Sequence, residues 1–167
     1  PGAATEVRAR VGERLAKIVP GDINTFFFTL SGAEANENAI KLARETTGRR
    51  KILSRYRSYH GATQGAGQLT GDPRRWAVEP GADGFIKVLD PEPYTYSFGA
   101  TEAERTEANL RYLEEVISME DPQDIAAMFI ETVTGTNGVL IPPDGYLRGL
   151  RDLLDRHGIL LICDEIM

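Results

Sequence analysis

Four short stretches of the 167-residue sequence carry residues able to do chemistry, and each directly follows an apolar run. SGAEAN (31–36) follows FFFTL, SYHG (58–61) follows KILSRY, ETVTGTNG (131–138) follows IAAMFI, and DEIM (164–167) follows ILLIC. Ser31, Gly32 and Ala33 would open a helix, where unpaired amides and the positive end of the dipole favour an anion such as phosphate. Gly and Ala would let that anion come close to the backbone. The same S-x-x-E pattern is also an ordinary helix cap, and the residues alone leave both readings open. Tyr59 beside His60 offers an aromatic platform with a polar tip, or simply half-buried packing. His60 is a candidate acid or base, but no G-x-S-x-G elbow accompanies it, so a hydrolase triad has poor support. Asp164 and Glu165 end a strand so apolar that a carboxylate there is partly desolvated and needs a cation or hydrogen bonds to offset the cost. Three roles fit: pairing with a protonated ring nitrogen on a ligand, holding Mg²⁺ beside a nucleotide as a Walker B acid does, or capping the next element. The nucleotide role requires G-x-x-x-x-G-K-[ST], which the sequence lacks. Two separated histidines without H-E-x-x-H give zinc little support.

The elements that would position these residues alternate. Val7, Val11, Leu15 and Ile18 predict an amphipathic helix over 4–18 that ends before Pro20. NTFFFTL (24–30), short and aromatic between turn formers, predicts a buried strand. A helix follows from Ser31 as N-cap, with Glu34 as capping-box partner and Gly48 as the stop. KILSRY predicts the next strand, Gly61 to Gly71 a close-packed turn and helix, and Asp72 to Pro93 a surface loop containing the short strand FIKVL. Leu110, Leu113, Val116 and Ile117 mark a helix within Thr101–Met119, and IAAMFIE reads as a strand. Pro142 and Pro143 precede a helix over Tyr146–His157, and ILLICD closes the chain as a strand. Apolar strands without strict alternation favour an α/β, three-layer fold: a mostly parallel sheet with helices on both faces, within one domain. In such a sheet ligands lie beyond the carboxyl ends of the strands, where all four stretches fall.

Composition narrows the function further. Hydrophobic residues make up 41% of the chain and charged ones 26%. That is the balance of a globular protein. The net charge of −6 argues against a nucleic-acid or anionic-membrane surface. Cys163 is the single cysteine, which excludes an intramolecular disulfide and suits a reducing cytoplasm. No apolar run approaches the roughly 20 residues of a membrane helix, and PGAATEVRAR has no signal-peptide core. A start without Met and a stop directly after DEIM lead us to expect an excerpt from a longer polypeptide.

The order of the four strand ends resembles the class III, fold type I aminotransferases that use pyridoxal 5′-phosphate. The matching pieces are SGAEANENAIKLAR (31–44), YHG (59–61) and ETVTGTNGVLIPPDGYLRGLRDLLDRHGILLICDEIM (131–167), so the resemblance covers nearly the whole chain. It implies that Gly32 and Ala33, with Ser31 before them, hold the cofactor phosphate through backbone amides. It implies that Tyr59 stacks on one face of the pyridine ring, that Ile166 packs on the other, and that His60 lines the same pocket. Asp164 would pair with the ring nitrogen and keep it protonated. Glu131 matches the acid near the ring hydroxyl and substrate and would help position them; Glu165 would be structural. The sequence departs from the family at Thr132, commonly Pro, at Ile166, commonly Val, and at Met167, which is Gln in some branches.

In this family the Schiff-base lysine lies downstream of the Asp-Glu strand. Lys17, Lys41, Lys51 and Lys87 are the lysines present, and none follows a late strand in the family's lysine context. The expectation is therefore a partial large, cofactor-binding domain over 1–167, lacking the small-domain segments and the lysine segment, inactive alone. The parent would be a cytoplasmic homodimer moving an amino group from an amino acid or amine to a 2-oxo acid such as pyruvate or 2-oxoglutarate. Aminomutase or racemase members share the same cup; a nucleotide-binding ATPase fragment and a non-catalytic relative of the fold are the remaining alternatives.

Overall fold

A computed structural model describes residues 5–92, 96–135 and 138–167. The chain divides into two compact units, one before Ser31 and one from Ser31 onward. In the first unit, α1 (Glu6–Leu15) is capped by Thr5, whose Oγ1 accepts the Arg8 N–H at 3.4 Å, and none of its residues is buried. The expected helix over 4–18 thus stops three residues earlier than its periodicity, and residue 4 lies outside the described residues. The expected strand at 24–30 is absent: Phe27 is 70% and Leu30 98% exposed, and the run is irregular. An apolar run becomes a strand only when neighbouring backbone takes up its amides. Its unit offers one described element, α1, and a helix presents no strand edge.

The second unit holds the predicted α/β layers. In chain order these are α2 (Gly32–Thr47), β1 (Lys51–Arg55), α3 (Gln64–Leu69), β2 (Phe85–Val88), α4 (Glu102–Met119), β3 (Ile125–Glu131), α5 (Tyr146–His157) and β4 (Leu160–Asp164). A 3₁₀ turn at Pro73–Val78 lies inside the expected loop. The sheet is parallel throughout, in the order β2-β1-β3-β4. All seven residues of β3 are buried, as a continuous apolar run between two helical layers should be. Leu53, Met128 and Ile130 pack on one face with Leu113 and Ile117 of α4 and Leu150, Leu153 and Leu154 of α5. Ile52, Ala127 and Phe129 pack on the other with Ile40 and Ala43 of α2 and Leu69 of α3.

Local signals explain the boundaries. Ser31 Oγ accepts the Glu34 N–H at 3.2 Å to start α2, and Gly48, at φ +70°, stops it by donating its N–H to the Arg44 carbonyl. Both are the usual devices of a helix end: a side-chain acceptor for an orphan amide, and a glycine in the left-handed region. Thr101 and Glu104 form a reciprocal capping box at the start of α4. Register sets Glu131 of β3 opposite Asp164 of β4, so both acids stand at the same carboxyl edge of the sheet.

Candidate active site

At that edge a cleft of about 480 Å³ is lined by Gly32, Ala33, Asn36, Tyr59, His60, Asp164 and Ile166, with Gly61, Ala62 and Thr63 completing its wall. Two helices begin beside it, and their N-termini differ. At α3, Glu37 Oε1 accepts the Thr63 hydroxyl at 2.6 Å and the N–H groups of Gly65 and Ala66 at 2.7 and 3.1 Å. Burial pushes the Glu37 carboxyl up, but these hydrogen bonds outweigh it and hold the group below the usual carboxylate range. That terminus already has its anion. At α2 the amides of Gly32 and Ala33 make no hydrogen bond to another described residue, and a Cβ on Gly32 would meet nothing within 4 Å. The Gly32 and Ala33 amides of α2 are therefore open donors at the cleft. Gly61 closes the cradle from the β1 side: at φ +128°, its missing Cβ would lie 2.7 Å from the Ala33 Cβ.

Asp164 gives the same cleft its opposite chemistry. Its Oδ2 accepts from Asn36 Nδ2 and from His60 Nδ1, both at 2.9 Å, and its Oδ1 receives the Ile166 N–H at 3.3 Å. Burial pushes the Asp164 carboxyl up; the His60 and Asn36 hydrogen bonds more than reverse this and keep it below the ordinary value. Asp164 is thus a carboxylate held anionic at an apolar strand end. His60 Nδ1 is the donor in this contact, because an ionised carboxylate can only accept. Its Nε2 is buried and has no partner among the described residues. The His60 ring edge meets Phe129, with centroids 6.1 Å apart.

Tyr59 lines the cleft, and the Arg74 guanidinium lies 3.8 Å from its ring centroid. That separation is within range of a cation–π contact. Arg74 is itself fixed by Asp72 through its Nε at 2.7 Å. Glu131 is placed differently from the other acid. It is 2% exposed and is not among the lining residues. Its Oε1 accepts the Tyr59 N–H at 2.8 Å and its Oε2 the Gly135 N–H at 2.9 Å, so it clasps two strand-end loops. Beneath it, Arg55 reaches the Glu131 carbonyl at 2.5 Å and pairs with buried Asp90 at 3.1 Å.

The structure therefore gathers Gly32, Ala33, Tyr59, His60, Asp164 and Ile166 in one cleft, with Ser31 as the cap directly before it and Glu131 behind its wall. Thr136 and Asn137 of the ETVTGTNG stretch lie outside the described residues. None of Lys17, Lys41, Lys51 and Lys87 lines the cleft; Lys51 pairs with Glu120 and Lys87 reaches Ser54. No cluster of three metal-binding side chains occurs among the described residues. Sequence reasoning missed Asn36 and Arg74. Asn36 had one available signal: it stands four residues after Gly32 and four before Ile40, on the buried face of α2.

Comparison with known proteins identifies the family. The family model for class-III aminotransferases matches residues 2–167. An uncharacterised aminotransferase, YhxA, of Bacillus subtilis is 36% identical over 165 residues, covering 95% of this chain and 36% of that protein. The acetylornithine aminotransferase of Mycobacterium leprae is 36% identical over 164 residues, covering 98% of this chain and 35% of its own length. Among solved structures, the taurine:2-oxoglutarate aminotransferase of Bifidobacterium kashiwanohense, in complex with PLP and glutamate, superposes with a TM-score of 0.93 at 45% identity. That match covers all of this chain and 39% of the other. The (S)-enantioselective omega-transaminase of Thermomicrobium roseum gives a TM-score of 0.91 at 40% identity, covering 98% and 38%. The chain spans a little over a third of the length of these relatives. Sequence match, fold and the order of the strand-end residues lead to one statement: the chain belongs to the class-III aminotransferases.

Proposed function

We propose that these 167 residues are the greater part of the large, cofactor-binding domain of an aminotransferase that uses pyridoxal 5′-phosphate. Its reaction would pass an amino group from an amino acid or amine to a 2-oxo acid such as pyruvate or 2-oxoglutarate. The observation that carries this reading is the pairing of opposite chemistries in one cleft. Open backbone donors at the start of α2 suit a phosphate, and a carboxylate held ionised at the end of β4 suits a protonated ring nitrogen. Gly32 and Ala33, after the Ser31 cap, would hold the phosphate; Tyr59 and Ile166 would hold the ring faces; His60 would fix Asp164 from behind. When bound, the cofactor draws electron density away from the bonds at the amino-bearing carbon of the substrate. Asp164 supports that by keeping a positive charge on the ring nitrogen. Glu131 acts by holding Tyr59 and the Gly135 loop in place, since both of its oxygens are already engaged.

The lysine this chemistry needs would come from outside these residues, and the isolated chain would not turn over. No helix among the described residues is long and apolar enough to cross a membrane; a cytoplasmic homodimer belongs to the same proposal. The test is a titration of the full-length protein with pyridoxal 5′-phosphate and, separately, with pyridoxal, followed by assay with an amino donor and a 2-oxo acid. Tight uptake of the phosphorylated form, much weaker uptake of pyridoxal, and transfer of the amino group are expected. Equal affinity for both would remove the phosphate role of α2, and absence of transfer would refute the activity.

A further inference from the structure

Asn36 is the one polar residue among the buried positions of α2, where its companions Ile40 and Ala43 are apolar. A buried amide is costly unless satisfied. Its Nδ2 lies 2.8 Å from the carbonyl of His60 and 2.9 Å from Asp164 Oδ2. A carbonyl and a carboxylate can only accept, so both contacts require the NH₂ group, and the orientation of the amide is fixed by its partners. His60 Nδ1 meets the same Asp164 oxygen at 2.9 Å. The three residues form a closed cycle drawn from α2, the loop after β1, and β4. Within it Oδ2 is occupied twice, whereas among the described residues Oδ1 is held only by the longer contact from the Ile166 N–H.

Resting on the proposed cofactor chemistry, we propose that Asn36 is a positioning residue for Asp164: it locks Oδ2, fixes the carboxylate rotamer, and leaves Oδ1 as the oxygen offered to the ring nitrogen. An amide suits this task because it donates at every pH at which the protein is folded. A leucine, with the same branched outline but bulkier, would fill the space on α2 and release one of the two side-chain donors from Oδ2.

The experiment uses the full-length protein with ¹³C-labelled aspartate, the Asp164 carboxyl signal being identified by its loss in Asp164→Asn. In Asn36→Leu the midpoint of the Asp164 titration, measured without cofactor, should rise by about one pH unit. The dissociation constant for pyridoxal 5′-phosphate should rise about tenfold. A purely structural role would lower stability while leaving the Asp164 midpoint where it is, and that result would overturn the inference. If Asn36→Leu does not fold, Asn36→Ser, smaller and polar, is put through the same titration with the same criteria. Should the parent protein fail to take up pyridoxal 5′-phosphate, the proposed function falls, while the Asp164 midpoint still decides whether Asn36 sets the carboxylate.

Discussion

Replacing Gly61 by Ala tests how the cradle is closed. Two costs follow from the structure. The added Cβ would stand 2.7 Å from the Ala33 Cβ and 3.0 Å from the Ala33 Cα, and the second of these is backbone at the start of α2 that cannot rotate away. Overpacking of this kind costs about 1–3 kcal/mol. The backbone at φ +128° is a conformation that L side chains rarely adopt. Holding a non-glycine residue in such a region costs about 1–3 kcal/mol more. The sum is about 4 kcal/mol, a large share of the stability of an ordinary domain. Equilibrium urea unfolding followed by circular dichroism reads it directly. The double variant Gly61→Ala with Ala33→Gly isolates the shortest contact, because deleting the Ala33 methyl removes it and leaves the backbone strain and the 3.0 Å contacts to the Ala33 Cα and the Ala66 Cβ. About 1 kcal/mol should return as coupling between the sites. A single variant within about 0.5 kcal/mol of the parent, or a double variant showing no coupling, would refute the account of why glycine stands at position 61.

Gly32→Ala should behave in the opposite way. The new methyl would meet open space, so stability should stay within about 0.5 kcal/mol, but phosphate access should suffer. Its expected mark is a dissociation constant for pyridoxal 5′-phosphate raised about tenfold or more, read by fluorescence titration. Asp90→Ala strips the buried Arg55 guanidinium of its counter-charge. It should cost about 3–5 kcal/mol in urea unfolding, most of it regained in Asp90→Ala with Arg55→Met. The pH dependence of Asp164 has a definite sign. Its folded pKa is depressed, so its stabilisation is complete above the unfolded value of about 3.9 and is lost as pH falls through the lower folded value. The stability difference between the parent and Asp164→Asn should therefore be larger at pH 7 than at pH 3, and a difference independent of pH would contradict the hydrogen-bonding pattern.

Where local chemistry decides an element, the sequence was sufficient to locate it. Tyr146–His157 was placed by the two prolines before it, and in the structure Gly158, in the left-handed region, ends it; IAAMFIE was placed by its unbroken apolar run, because capping and burial act within a few residues. NTFFFTL had the composition of a strand, yet its described residues form none; composition reports apolarity, while pairing depends on what lies alongside. In the cleft the same division holds. The helix-start character of Ser31–Ala33 and the desolvated acid at 164 were readable from neighbours in the chain. That Asn36 serves Asp164, and that Glu131 spends both oxygens on backbone amides, depends on pairings across 128 and 72 residues that no short window encodes.

The Asn36–His60–Asp164 cycle also has a consequence for the order in which the molecule is made. Asp164 meets His60 across 104 residues and Asn36 across 128, so everything from α2 to the end of β4 must leave the ribosome before the carboxylate reaches its donors. Until β4 docks, the α2 amides stand without the acid that completes the cleft, and a cofactor encountering the nascent chain finds at most a phosphate foothold. Contacts this distant in sequence carry a loop-closure cost that is met only late in folding. Cofactor loading would then act as a seal on the docked β4 edge, and would report that the strand carrying Asp164 had joined β3.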